Sequence, residues 1–253
     1  MSKFVLKYRN VFASLPRWAV QPVFRVMALP YRGTARSCRI CGKTCRDFMP
    51  FGVPRRANAR CPHCRSLERH RLFWAFAEDR TNLFDGKGKC FLHVAPETCL
   101  EDRLREKIGR GYLTADYSDP RAMVKMDITD IQYPDESFDV IYCSHVLEHV
   151  QDDIGAMKEF RRVLKKDGWA VLLVPITASV TFEDPSVTAP KERLEKFGQE
   201  DHVRAYGPDY IDRLRSAGFH VEMYRPCDLF SDEKILREGL GAAAGEIYFC
   251  RRG

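Results

Sequence analysis

The run Met126-Asp-Ile-Thr-Asp-Ile-Gln-Tyr-Pro-Asp-Glu-Ser-Phe-Asp-Val-Ile-Tyr-Cys-Ser-His-Val-Leu-Glu-His149 decides the fold. A polar, acidic turn leads into the short apolar strand Val140–Ser144, and helix-forming residues follow at once. Outward from this run the same alternation repeats. Upstream, Cys90–Ala95, Tyr112–Ala115 and Val124–Met126 read as strands, with a helix over Thr98–Ile108. Downstream, His145–Val150 continuing through Ile154–Leu164 reads as helix and Ala170–Val174 as strand. A helix at Asp209–Ala217 then leads to strands at His220–Tyr224 and Glu246–Arg251. Short apolar strands alternating with helices predict a doubly wound α/β fold with a mostly parallel sheet covered on both faces. Ligands of such sheets bind beyond the carboxyl ends of the strands, at the topological switch point. That rule singles out Ala95–Glu97, Asp116, Asp127 and Ser144–His145.

Taken in order, the run 126–149 and the run Met157-Lys-Glu-Phe-Arg-Arg-Val-Leu-Lys-Lys-Asp-Gly-Trp-Ala-Val-Leu-Leu-Val-Pro175 resemble class I S-adenosylmethionine-dependent methyltransferases (type 11-like) over roughly residues 89–251. The resemblance implies S-adenosylmethionine as cofactor. An acid closing the second strand offers two oxygens to the ribose hydroxyls, and Asp116 holds that place. Asp127 matches the acid that meets the adenine amino group, with Ile128 against the ring and Ser144 at the end of the fourth strand. One departure stands out. The family's first strand usually ends in an acid and a Gly-x-Gly turn, whereas this chain reads Leu92-His-Val-Ala-Pro-Glu97. Ala95 is small enough for close approach, Pro96 suits the start of a helix, and Glu97 offers an acceptor to the cofactor's ammonium group. The missing glycine also admits a non-catalytic binding module on this scaffold.

A second pattern precedes the first. Cys38-Arg-Ile-Cys41 and Cys61-Pro-His-Cys64 are two Cys-x-x-Cys knuckles, each able to fill one edge of a tetrahedron. Together Cys38, Cys41, Cys61 and Cys64 make a closed four-sulfur set of the kind that holds structural Zn²⁺. Gly42 permits the sharp turn after the first knuckle; Cys45 falls outside the pairing. The remaining cysteines are scattered, which fits a reducing compartment better than a disulfide framework. The predicted organisation is a basic amphipathic segment over 1–37, a zinc-ribbon-like module over 38–71 and a methyltransferase domain over 72–253.

Composition is that of an ordinary globular chain, with 45% apolar and 30% charged residues and a net charge of +6. No apolar run approaches the ~20 residues of a membrane span, and no secretory signal is evident; the expected location is cytoplasmic, with peripheral attachment to a membrane. The charge is uneven. Residues 1–37 hold seven Lys/Arg and no acid, while the chain beyond Arg71 holds 25 basic against 33 acidic residues. Aromatic and aliphatic residues from Phe4 to Tyr31 mixed with cations suit an anionic membrane surface; nucleic acid is the weaker candidate. The acceptor expected is a small molecule, glycan or lipid, with a nucleic acid or protein held by the zinc module as the alternative. His202, in the polar stretch 196–207, and His145, at the sheet edge, are the candidate catalytic histidines, His202 as general base. The stretch 196–207 and Thr181–Pro185 together suggest a lid.

Overall fold

The computed structural model describes residues 17–52 and 54–252. Helix α1 (Arg17–Met27) carries Pro22 inside it. Two small hairpins follow: β1 (Arg36–Cys38) with β2 (Lys43–Cys45), and β3 (Met49–Phe51) with β4 (Arg56–Arg60). Helix α2 (Glu68–Arg80) then enters the main body. Its residues 70–77 are all buried, so it lacks the one-sided stripe of a surface helix. Phe73 stacks on Tyr142 at 3.8 Å, and Phe76 packs against both Tyr224 and Phe249. The division expected at 71/72 therefore falls inside a helix, and one buried core runs from Cys38, Ile40 and Phe48 to Phe249 and Cys250.

The main body is a seven-stranded sheet. Its strands are β5 (Phe91–Val94), β6 (Tyr112–Asp116), β7 (Val124–Lys125), β8 (Phe138–Ser144), β9 (Leu164–Leu173), β12 (Phe219–Tyr224) and β13 (Ile247–Arg252). They lie in the order β7-β6-β5-β8-β9-β13-β12, parallel throughout except for β13, which runs antiparallel to both neighbours. All four residues of β5 are buried, and β8 is buried at six of seven positions. Such unbroken apolar runs are what a sheet covered on both faces requires. The helices are α3 (Thr98–Ile108), α4 (Asp153–Val163), α5 (Pro190–Phe197), α6 (Tyr210–Ser216), α7 (Pro226–Leu229) and α8 (Asp232–Glu238). A two-stranded ribbon, β10 (Phe182–Glu183) with β11 (Arg204–Ala205), joins the two segments expected to form a lid.

One expectation is corrected. No single helix spans 145–164. His145 takes a left-handed conformation, φ 57°, with its N–H donating to Leu173 O at 2.8 Å. A short 3-10 turn, Leu147–His149, follows, and Asp152 starts a new helix by accepting from Gly155 N at 2.8 Å. His145 and His149 thus share no helix face.

Among the described residues no helix is long and apolar enough to cross a membrane. The apolar and basic residues expected to meet a membrane between Phe4 and Phe12 lie outside the described part. Within it, Val23, Val26, Met27 and Leu29 are exposed, while the Arg65 guanidinium sits over the Phe24 ring.

Candidate functional site

The switch point lies between β5 and β8, which are paired in register from Phe91↔Val140 to Val94↔Cys143. The chain turns left-handed just past both strands, at Ala95 (φ 49°) and at His145 (φ 57°). Left-handed backbone is uncommon outside glycine. Ala95 holds it because its N–H is tied to Ala115 O at 2.8 Å, which extends the β5–β6 pairing by one bond. The turn that a glycine would make is therefore present without the glycine.

The residues expected to bind cofactor ring this edge unequally. Ser144 is buried, and its Oγ has no hydrogen-bond partner. Asp116, at the end of β6, accepts from Ser118 N at 2.7 Å and Asp119 N at 2.6 Å, both through Oδ1. One of its two oxygens thus holds the loop, and Oδ2 takes no part in either bond. Asp127 is exposed and likewise accepts from Thr129 N and Oγ1 through Oδ1. Ile128 beside it is packed into the core.

Glu97 departs from expectation. Its carboxylate turns inward, where Oε2 pairs with His93 Nε2 at 2.9 Å and Oε1 stands 3.4 Å from His70 Nε2. Burial alone would push this carboxyl up, but the two flanking imidazoles hold it well below its usual range. His70 accepts from Leu67 N at Nδ1, which places its proton on Nε2, toward Glu97. His93 Nδ1 bonds the Tyr112 hydroxyl at 2.7 Å. Glu97 is the hub of a buried polar cluster under the β5 turn rather than an acceptor offered to solvent. His70 and His93 are 23 positions apart in sequence, and no local signal joins them.

His202 is also not where a general base would be expected. It is 5% exposed. Its Nδ1 faces Phe197 O at 3.2 Å, and burial lowers its pKa. Its ring meets that of His149 edge-on, 4.7 Å between centroids. Val203 N donates to Glu148 O at 2.9 Å, pinning this loop to the 3-10 turn after β8. Arg204 clamps the same turn through Leu147 O and Val150 O, and reaches Gln151 O at 2.7 Å. His145 stays at the rim, a third exposed, with Nδ1 3.4 Å from Glu148 Oε1.

The four paired cysteines converge. Cys38 and Cys64 sulfurs lie 3.6 Å apart and those of Cys41 and Cys61 3.9 Å apart; a tetrahedral Zn–S distance of about 2.3 Å puts sulfurs about 3.8 Å apart. Both knuckles close alike. Gly42 N donates to Cys38 O, Arg65 N donates to Cys61 O, and both residues are left-handed, φ 68°. Hydrogen bonds from Cys41, Cys61 and Cys64 pull the Cys38 thiol well below its ordinary value, while Cys38 pushes Cys61 far up. Four sulfurs this close cannot all ionise without a cation among them. Ser66 Oγ lies within 3.4 Å of two of the sulfurs. Cys45 is buried in the core outside the set, and burial pushes its thiol up to about 11. His63 faces Thr44 O at 3.2 Å instead.

Residues 103–172 match the family described as "Methyltransferase domain". The matched stretch runs from within α3 to β9, so it includes the strands of the switch point only from β6 onward. Two curated relatives are similar to parts of this chain. An uncharacterized methyltransferase, YcgJ of Bacillus subtilis, is 38% identical over 74 residues, 29% of this chain and 28% of the relative. Phosphoethanolamine N-methyltransferase 3 of Arabidopsis thaliana is 35% identical over 94 residues, 37% of this chain and 18% of the relative. The chain thus spans under a third of either relative's length. A solved S-adenosylmethionine dependent methyltransferase from Mesorhizobium loti is 18% identical, with a TM-score of 0.47, covering 66% of this chain and 92% of that one.

Proposed function

We propose that the chain is an S-adenosylmethionine-dependent methyltransferase acting on a small-molecule, glycan or lipid acceptor, with a structural zinc in its N-terminal module. The observation that carries the reading is the left-handed turn at Ala95, just past β5, together with an unpartnered, buried Ser144 Oγ at the end of the neighbouring strand β8. A small residue at such a turn lets a ligand approach the backbone, and a buried hydroxyl without a partner calls for one. Asp116 Oδ2, on the adjacent strand, is assigned to the ribose hydroxyls, and Asp127 with Ile128 to the adenine. The cofactor supplies a methyl group already activated on a sulfonium centre. The chain's own task is to align acceptor and methyl and to exclude water. The β10–β11 ribbon and α5 are assigned to the second job. His145, at the rim of the same edge, is assigned contact with the acceptor. The curated relative named for phosphoethanolamine is in keeping with a small polar acceptor.

Calorimetric titration of the full chain with S-adenosylhomocysteine tests the reading, and absence of binding would sink it. Asp116→Asn keeps the Oδ1 bonds that shape the loop and replaces Oδ2 with a donor. Losing a charged acceptor costs about 1.5–3 kcal/mol per bond, so affinity should fall at least about tenfold with an unchanged circular dichroism spectrum. Incubation with methyl-labelled cofactor and fractionated extract then identifies the acceptor class.

A further inference from the structure

Glu148, His149 and His202 bring three ligand atoms within 4.8 Å of one another, outside the residues assigned to the cofactor. Two of the three are buried, 1% exposed for Glu148 and 5% for His202. Glu148 Oε2 and His202 Nε2 have no hydrogen-bond partner among the described residues. A buried carboxylate oxygen and a buried imidazole nitrogen left bare side by side are costly unless a cation or donor joins them. Arg204, on the same loop, does not serve, because its guanidinium is turned to the carbonyls of Leu147, Val150 and Gln151 and to Glu183.

We propose that these residues hold one divalent transition-metal ion. The supporting contacts are those a metal site needs. His202 Nδ1 bonds the Phe197 carbonyl, so its proton sits there and Nε2 presents a lone pair to the cluster. Orientation of a ligating imidazole by a carbonyl on its other nitrogen is the usual arrangement. His149 Nδ1 lies 3.4 Å from both the carbonyl and a carboxylate oxygen of Asp201. Glu148 Oε1 is steadied by His145 at 3.4 Å, leaving Oε2 for the ion. Two imidazoles and one carboxylate suit Zn²⁺, Co²⁺, Fe²⁺ or Mn²⁺. Bonds of about 2.0–2.2 Å require the donors to draw together, and His149, a third exposed, has room to move. Three protein ligands leave coordination positions open. An open position at the carboxyl edge of the sheet fits an oxygen of the methyl acceptor, whose proton a bound cation makes easier to lose. This last step rests on the methyltransferase reading; the metal site does not.

Cobalt(II) is the probe, added to full-length protein whose four-thiol centre is already filled with zinc. Equilibrium dialysis should find one Co²⁺ beyond that centre, without the intense thiolate charge-transfer absorption. His149→Ala and Glu148→Gln should each weaken its binding at least about tenfold and abolish the Co²⁺-dependent rise in melting temperature, while the bound zinc stays at one per chain. The proposal is overturned if the native protein takes up no extra Co²⁺ at millimolar concentration, or if both variants bind it unchanged. S-adenosylhomocysteine titration of the same preparations reports separately on the methyltransferase reading.

Discussion

At the scale of single residues, backbone conformation separates what sequence conveys from what it hides. The sequence shows that a glycine is missing after Val94 and that a small residue stands in its place. It does not show that Ala95 adopts the glycine's left-handed backbone, because that follows from its bond to Ala115 O on a neighbouring strand. A left-handed alanine costs about 1–2 kcal/mol, and a β-branched residue there is a stronger outlier. Ala95→Gly should therefore leave the melting temperature unchanged or raise it. Ala95→Val should lower it by several degrees, at roughly 2–4 °C per kcal/mol for a chain of this size. Equal melting temperatures for the two variants would show that the turn is not left-handed. Glu97 teaches the complementary lesson. Its position after β5 is legible, but the direction of its carboxylate is set by His70, which lies on the incoming helix α2.

Among the elements, spacing was the most readable signal. Helix α3 begins and ends where the sequence predicts, and the Cys knuckles converge as their spacing requires. The helix expected over 145–164 fails because helix propensity does not report the left-handed His145 or the cap at Asp152. Asp152 ahead of Gly155 was a usable start signal. For the zinc module the prediction is specific. Cytosolically expressed protein should carry one zinc per chain. Cys61→Ser should lose it and destabilise the two hairpins, since metal binding and folding are coupled in such modules. Cys45→Ser should keep it, because that sulfur lies outside the four-sulfur set. Metal analysis beside thermal melting checks both; zinc retained by Cys61→Ser, or lost by Cys45→Ser, would mean that the ligand set is wrong.

Across the whole molecule, sheet and switch point were legible because local periodicity and strand order are linked. The Glu148–His149–His202 cluster was not, because it closes across 53 residues through a loop pinned by Val203 N and the Arg204 guanidinium. The attachment of the front module was equally hidden, and one side chain carries much of it. Arg71 is 1% exposed and donates to Ala59 O and Ser66 O in the module and to Glu238 O and Gly239 O at the C-terminal end of α8. Its guanidinium also lies 4.0 Å from the centre of the Phe48 ring. Burial works against the charge, and the nearby Cys38 and Cys61 sulfurs favour it; four zinc-bound thiolates would carry a net negative charge that Arg71 offsets. Arg71→Met keeps the bulk and removes both the charge and every donor. It removes the Arg71 donors from the carbonyls of Ala59, Glu238 and Gly239, at about 1–3 kcal/mol for each one left buried and unpaired; Ser66 O keeps the Cys61 N–H. The native chain should melt in one transition, with zinc released in the same step. The variant should melt at least about 6 °C lower and release zinc before the sheet unfolds. Calorimetry alongside a chromogenic zinc indicator reads both events, and an unshifted single transition would show that the module is held on by its apolar contacts alone.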